Sequence, residues 1–205
     1  MGERRRSSED RQVELADAAL TIIATKGIAA LTTRSLATEV GLSTGAIFKH
    51  FASLEALLDA VVGRVESVLD ATFPDPALPP RERLERFVEA RSSAVGKQLG
   101  ILRLVLSDQV SLAMTKSGSA RLDACVARTR GFLRACISEG QSEGTIRRDL
   151  PETTLTPIVM GTMQMLALAS GKTREREREA KAVREGLLHL LTPPPTEAAP
   201  RKKKP

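Results

Sequence analysis

Apolar positions recur along this chain with the period of an α-helix, and short polar or glycine- and proline-containing breaks separate the periodic segments. Recurrence at i, i+3, i+4 and i+7 places apolar side chains on one face of a helix. The pattern predicts about nine helices, near residues 9–26, 35–41, 44–50, 53–73, 81–99, 101–115, 120–143, 151–170 and 173–191. Residues 73–80 hold four prolines and cannot be helical throughout, so they form a loop.

The composition supports the same fold class. With five Phe and neither Trp nor Tyr among 205 residues, the core must be built from aliphatic side chains, which favours an all-α fold. The length suffices for one large domain or two small ones. We therefore expect an all-α protein of about nine helices.

The stretch from residue 33 to residue 51 has the spacing of a helix-turn-helix. Leu36 and Val40 lie one turn apart on the apolar side of its first helix, and Gly41 can end that helix in the left-handed conformation. Ser43 or Thr44 can cap the second helix, whose Ile47 points into the core. This leaves Thr44, Gly45, Phe48 and Lys49 on the outer face, where a DNA groove would lie.

Residues 13–58 resemble the DNA-binding domain of the tetracycline-repressor (TetR) family. The residues that carry the resemblance are Ala18, Ala19, Gly27, Thr32, Thr33, Leu36, Ala37, Gly41, Ser43, Gly45, Ala46, His50, Phe51 and Leu57. The rest of the chain resembles the family only in length and helical character. The resemblance implies a homodimer that places two copies of the third helix in successive major grooves of a palindromic double-stranded DNA operator.

The predicted DNA-binding residues lie on and around this motif. They are Thr33, Arg34, Ser43, Thr44, Gly45, Phe48, Lys49 and His50. Thr33 is also expected to cap the first helix of the motif, and His50 can either approach the DNA backbone or pack the domain. Two residues depart from the family pattern, because Phe48 replaces a usual tyrosine and Leu54 a usual lysine; both changes remove a polar phosphate contact.

The distribution of charge and the helical pattern divide the chain into four expected segments, and the resemblance implies the roles of the middle two. The segments are a basic arm (1–8), a helix-turn-helix DNA-binding domain (9–53), a helical ligand-binding and dimerisation domain (54–192) and a disordered basic tail (193–205). The net charge of +6 resides in the two ends, since residues 3–6 contribute +2 and residues 201–204 contribute +4. The basic ends either attract DNA or are ordinary solvated termini.

Two helices near the end of the chain are candidates for the dimer interface. The eighth is nearly free of charge, and the ninth ends in leucines. A monomer would leave their apolar faces in water, and a four-helix interface across a two-fold axis would bury them. The interface residues predicted on this basis are Met163, Leu166, Leu187 and Leu190.

Arg91 is a charge on the apolar stripe of the fifth helix, in register with Leu84, Val88 and Val95. A buried guanidinium needs a partner. Either a carboxylate such as Asp108 or solvent satisfies it, or it binds an anionic ligand beside Gln109. Arg91 and Gln109 are therefore the candidate binding residues for an unknown small-molecule effector.

Other function classes find little support. The two histidines, His50 and His189, are far apart in the sequence, so neither a metal site nor a cofactor is predicted, and no nucleophile or phosphate-loop motif suggests an enzyme. Cys125 and Cys136 lie three turns apart on one helix and cannot bridge within it, so they are buried thiols or, alternatively, redox or metal sensors. No apolar run is long enough for a membrane span, and no signal peptide is recognisable, so we expect a cytoplasmic protein without a membrane partner.

The sequence thus favours a transcriptional repressor released from DNA by a small molecule. An architectural or chromosome-organising DNA binder of the same fold, without an effector, is the alternative. A third possibility is a protein-interaction module whose helix-turn-helix contacts another protein.

Overall fold

A computed structural model describes residues 8–106, 114–169 and 174–194, and these residues form nine α-helices, one 3₁₀ turn (Ile28–Ala30) and no strand. The helices are α1 (Ser8–Lys26), α2 (Thr33–Val40), α3 (Thr44–Phe48), α4 (Leu54–Asp70), α5 (Pro80–Lys97), α6 (Leu99–Leu106), α7 (Lys116–Glu143), α8 (Glu152–Ala169) and α9 (Arg174–Leu191). The predicted all-α class and helix number are confirmed. Within the described ranges, no helix has both the length and the apolar character needed to span a bilayer.

The first turn of α2 is held by a reciprocal pair of hydrogen bonds. The Ser35 amide donates to Thr32 Oγ1 (3.0 Å), and the Thr32 amide donates to Ser35 Oγ (2.9 Å). Thr32 is therefore the N-cap, and the prediction that Thr33 caps this helix is wrong by one residue. The reason is geometric, because the pair forms between a cap and the residue three positions later, and the serine stands at 35.

The buried apolar residues form two clusters. The first contains the inward faces of α1 to α4 and α6, and it reaches Leu122 and Cys125 of α7. The second joins α5, α7, α8 and α9 and includes Phe87 and Leu133. The first cluster contains buried residues from both sides of the predicted boundary between residues 53 and 54. The division of the chain at that boundary remains a prediction.

Helix α8 is apolar over most of its circumference, and one of its faces packs inside the protomer. Met163 and Leu166 on that face are 5% and 2% exposed, and Leu187 of α9 is 4% exposed. The expectation that these three side chains are exposed in a single chain is therefore wrong. Only Leu190 of the predicted dimer residues is exposed, at 62%. The other three are covered because α8 and α9 pack on each other and on α5.

Candidate nucleic-acid interface and ligand cavity

A glycine turn sets the angle between α2 and α3. Gly41 has φ +67° and ψ +32°, the left-handed conformation that other residues adopt only at a cost. The Leu42 amide donates to the carbonyl of Ala37 (2.9 Å), which satisfies the end of α2. The chain therefore turns within three residues and starts α3 at Thr44.

Helix α3 is short, and both of its ends are fixed. Ser43 Oγ accepts a hydrogen bond from the Ala46 amide (3.2 Å), so Ser43 is the cap of the two candidates, Ser43 and Thr44, that the sequence offered. Ile47 and Phe51 are buried in the first cluster and hold the inner side of the helix. The opposite side is thus presented on a rigid base.

The outer side of this motif carries most of the predicted DNA-binding residues. Arg34, Ser43, Thr44, Gly45, Phe48 and Lys49 are exposed, whereas Thr33 and His50 are half-buried. The ring of Phe48 is 51% exposed, an unusual position for one of only five aromatic side chains. At Gly45, an added Cβ would have Ser43 Oγ, 3.9 Å away, as its nearest neighbour, so nothing within the described protein requires a glycine there.

His50 ties the motif to α1 as well as lying near its surface. Its backbone carbonyl accepts a hydrogen bond from Gln12 Nε2 (3.0 Å). Its Nδ1 is enclosed and has no hydrogen-bond partner among the described residues. The packing role that the sequence left open for His50 is thus present in the fold.

Helix α1 links the motif to the remainder of the chain. Arg64 of α4 donates two hydrogen bonds to the Asp17 carboxylate of α1 (2.7 and 3.0 Å), and Gln98 at the end of α5 donates a third (2.5 Å). At Gly100 of α6, an added Cβ would lie 2.8 Å from the carbonyl carbon of Leu20, and closer still to its oxygen. Only glycine allows α6 to approach α1 this closely, a constraint that the sequence did not reveal.

A cavity of about 200 Å³ lies among α4, α5, α6, α7 and α8. Its walls are mostly apolar and include Val95, Ile101, Val105 and Met163. Arg91, the first of the two predicted ligand residues, also lines it, together with the polar residues Thr129, Arg130 and Gln164. Gln109, the second predicted ligand residue, and Asp108 lie outside the described residues.

Arg91 is 5% exposed, and two phenylalanine rings cover its guanidinium. The guanidinium carbon lies 4.7 Å from the ring centroid of Phe87 and 5.1 Å from that of Phe73. Its Nε and Nη2 atoms are buried without a hydrogen-bond partner in the described part of the chain. Burial lowers the pKa of Arg91 to about 10, so the side chain is still charged at neutral pH.

The two cysteines are free and buried, which confirms the prediction of buried thiols. Cys125 lines the cavity, and burial raises the pKa of its thiol. Burial raises the pKa of Cys136 to about 11. Both are therefore protonated and weakly nucleophilic at neutral pH, which argues against a redox-sensing role.

Helices α8 and α9 also carry exposed apolar side chains, of which the sequence analysis named only Leu190. Their large exposed side chains are Ile158, Met165, Leu168, Val183 and Leu190. Gly161 and Gly186 lie in the same registers, and an added Cβ at either would meet nothing within 4 Å. The spacing of 158, 161, 165 and 168 already indicated one face of a helix, but α8 offered two apolar faces.

Comparison with known proteins agrees with this geometry. Residues 15–61 match the family model described as "Bacterial regulatory proteins, tetR family". The chain is 24% identical over 143 residues to the HTH-type transcriptional repressor KstR2 of Rhodococcus jostii (strain RHA1), covering 68% of this chain and 70% of that protein.

Two solved structures illustrate the similarity in fold. The ketosteroid transcriptional regulator KstR2 of Mycobacterium tuberculosis superposes with a TM-score of 0.76 at 21% identity, over 93% of this chain and 97% of that one. AibR in complex with isovaleryl coenzyme A and operator DNA superposes with a TM-score of 0.71 at 17% identity, over 90% and 99% of the two chains. Residues 15–61, which contain the whole helix-turn-helix, thus match the DNA-binding domain of the TetR family of transcriptional regulators, and the all-α body has the fold of these solved regulators.

Proposed function

We propose that this regulator is a repressor that binds a palindromic operator as a homodimer and is released when a small molecule occupies the cavity. The observation that carries the proposal is the outer side of α3, where Thr44, Gly45, Phe48 and Lys49 are exposed on a helix anchored from behind. Hydroxyl and ammonium groups suit phosphates and base edges, and an aromatic ring suits a thymine methyl. We propose that the protein acts in the cytoplasm by binding DNA and that it catalyses no reaction.

The proposed dimer forms through the exposed face of α8 and α9. Met165 and Leu190 are each 62% exposed, and such a cluster of large apolar side chains is costly to leave in water. The open glycines Gly161 and Gly186 would let a partner helix approach closely. A two-fold axis through this face would give the four-helix interface expected from the sequence, with a different set of residues.

Helix α6 is the proposed route from cavity to DNA. Ile101 and Val105 on this helix line the cavity, while Gly100 lies against the backbone of α1. A ligand that displaces α6 would therefore move α1, and α1 carries the motif through the Gln12–His50 hydrogen bond. The ligand releases DNA only if it binds the DNA-free arrangement more tightly than the DNA-bound one.

Known relatives support the pairing of operator and effector. The similar R. jostii protein is named a transcriptional repressor, and the AibR structure holds operator DNA together with isovaleryl coenzyme A. For the present chain, both the operator and the effector are proposals.

Selection of genomic fragments by the purified protein, followed by sequencing, tests the proposal. A repressor of this kind should enrich a palindrome whose half-sites are about one helical turn apart, and a compound that binds the cavity should lower the affinity for it. Enrichment of DNA without any palindrome, and without an effect of any ligand, would instead favour the architectural alternative. Failure to retain DNA at low salt would favour the protein-interaction module.

A further inference from the structure

The size of the cavity limits the ligand that it can hold. A cavity of about 150 Å³ lined by apolar side chains accommodates benzene. The present cavity, at about 200 Å³, therefore has room for roughly eight to ten non-hydrogen atoms. The part of a ligand that lies inside the cavity is therefore no larger than a short alkyl chain or a single ring with a head group.

The charge within the cavity wall limits the ligand further. The rings of Phe73 and Phe87 interact with the faces of the Arg91 guanidinium, but its N–H groups point along the plane of the group and need acceptors. Nε and Nη2 have none among the described residues. Asp70 is near enough to influence Arg91, yet its Oδ1 accepts a hydrogen bond from Arg128 (3.1 Å).

A buried cation without a hydrogen-bonding partner is unfavourable. An anion that pairs with it therefore binds with a more favourable free energy than the burial of its apolar surface alone would give. We propose that Arg91 receives the head group of the effector, and that the effector is an organic monocarboxylate with an apolar body of about six to eight carbon atoms. This inference rests on the proposed function, in which a ligand in this cavity releases the protein from DNA.

The same features argue against phosphate esters and thioesters as the ligand. A phosphate ester carries up to two charges, whereas Arg91 is the one buried guanidinium of the described lining; the second arginine there, Arg130, is exposed and therefore gives an anion less stabilisation. A thioester has a neutral carbonyl next to its acyl chain, so it would leave Arg91 without an anion. A carboxylate matches the guanidinium because two parallel N–H···O hydrogen bonds can form.

Isothermal titration calorimetry on the full chain at pH 7 tests the inference with defined probes. The acids are octanoate and phenylacetate, and the uncharged comparators are 1-octanol and 2-phenylethanol, which have nearly the same apolar bodies. We expect wild type to bind at least one acid tenfold or more tightly than its alcohol. R91M should lose that preference, while R86M should keep it, because Arg86 lies on the same helix with an exposed side chain and its removal changes the net charge equally.

Three outcomes would overturn the inference. One is that neither acid is preferred over its alcohol by wild type, and another is that R91M retains the preference. The third is that octanoyl coenzyme A binds more tightly than octanoate, since the thioester lacks the carboxylate. If R91M fails to fold by circular dichroism, R91K replaces it, since lysine keeps the charge but cannot form two parallel hydrogen bonds, and it should weaken acid binding about tenfold.

An internal ion pair with Asp108 is tested separately by a double-mutant cycle of R91M and D108N in chemical unfolding. Strong coupling between the two substitutions would mean that Arg91 is already paired, and would overturn the inference; additive effects would support it. Release from DNA is measured in its own assay. If acids bind through Arg91 but do not release DNA, the inferred ligand class is supported and the proposed function is contradicted. If compounds release DNA without needing Arg91, the proposed function is supported and the inferred ligand class is contradicted.

Discussion

Replacing Gly45 by alanine should separate folding from DNA binding. Gly45 is the second residue of α3, its φ is not in the left-handed region, and an added methyl group would meet only Ser43 Oγ at 3.9 Å. Alanine is favoured over glycine in a helix by up to about 1 kcal/mol. The variant should therefore unfold at the same or a higher denaturant concentration than wild type.

The same methyl group should weaken binding to the operator. It would stand on the exposed side of α3, between Thr44 and Phe48, where the proposed complex has DNA in close contact. Loss of one specific contact costs about 1 to 3 kcal/mol per half-site, or about 5- to 150-fold in affinity. Close approach of DNA to the bare backbone at this position would account for the glycine.

Fluorescence anisotropy with a labelled operator fragment, at one fixed salt concentration, measures the effect. The matched control is G131A, because Gly131 is an exposed glycine of α7 where an added Cβ also meets nothing within 4 Å. That control should gain stability and bind DNA like wild type. K49A should weaken binding as well, by removal of a cation from the same face. Undiminished operator binding by G45A would show that α3 does not approach DNA at this residue.

The following experiments test three other parts of the structure. M165D should yield a monomer by light scattering at micromolar concentration with normal helicity, whereas M163D should lose helicity, since Met165 is exposed and Met163 is buried; dimeric M165D would contradict the proposed interface. G100A should lower the free energy of unfolding by about 1 to 3 kcal/mol in urea, because the methyl group meets the Leu20 carbonyl; unchanged stability would contradict that close contact. Native Cys136 should resist a thiol reagent at pH 8, and rapid labelling of the folded protein would contradict its burial. The pKa of its thiol is raised from 9.0 to about 11 in the folded protein. Its contribution to the free energy of unfolding should therefore be present below pH 9 and be lost as the pH rises from 9 to 11.

The helix-turn-helix could be predicted because its signals are local. Gly41, Ser43 and Ile47 each act through contacts with residues a few positions away, and the structure bears these assignments out. The one error there, Thr33 in place of Thr32 as the cap, arose because adjacent threonines offer the same side chain. The partner at Ser35 decides between them, and its role becomes clear only when both hydrogen bonds are considered together.

The dimer residues could not be predicted in the same way, since hydrophobic periodicity does not distinguish the interior of a protomer from an interface. Helix α8 has apolar residues on two sides, with Met163 on one and Met165 on the other. Which side faces α5 depends on contacts with helices distant in the sequence. Arg91 was easier to single out from the sequence, because it is a charged residue on an apolar stripe. The rings that cover it belong to Phe73 and Phe87, and only the fold brings these residues together.

The position of the cavity explains how one site could control the other. The cavity lies where the two buried clusters meet, since Val95 and Ile101 in its walls belong to the first cluster and Met163 belongs to the second. Within each cluster the helices are closely packed, so a ligand that enters the gap displaces one cluster relative to the other more easily than it deforms either. The first cluster contains α1 to α4, and the close contact of Gly100 with Leu20 keeps α6 on it. Movement at the gap would therefore carry the whole DNA-binding motif with it, and in a dimer it would change the distance between the two copies of α3.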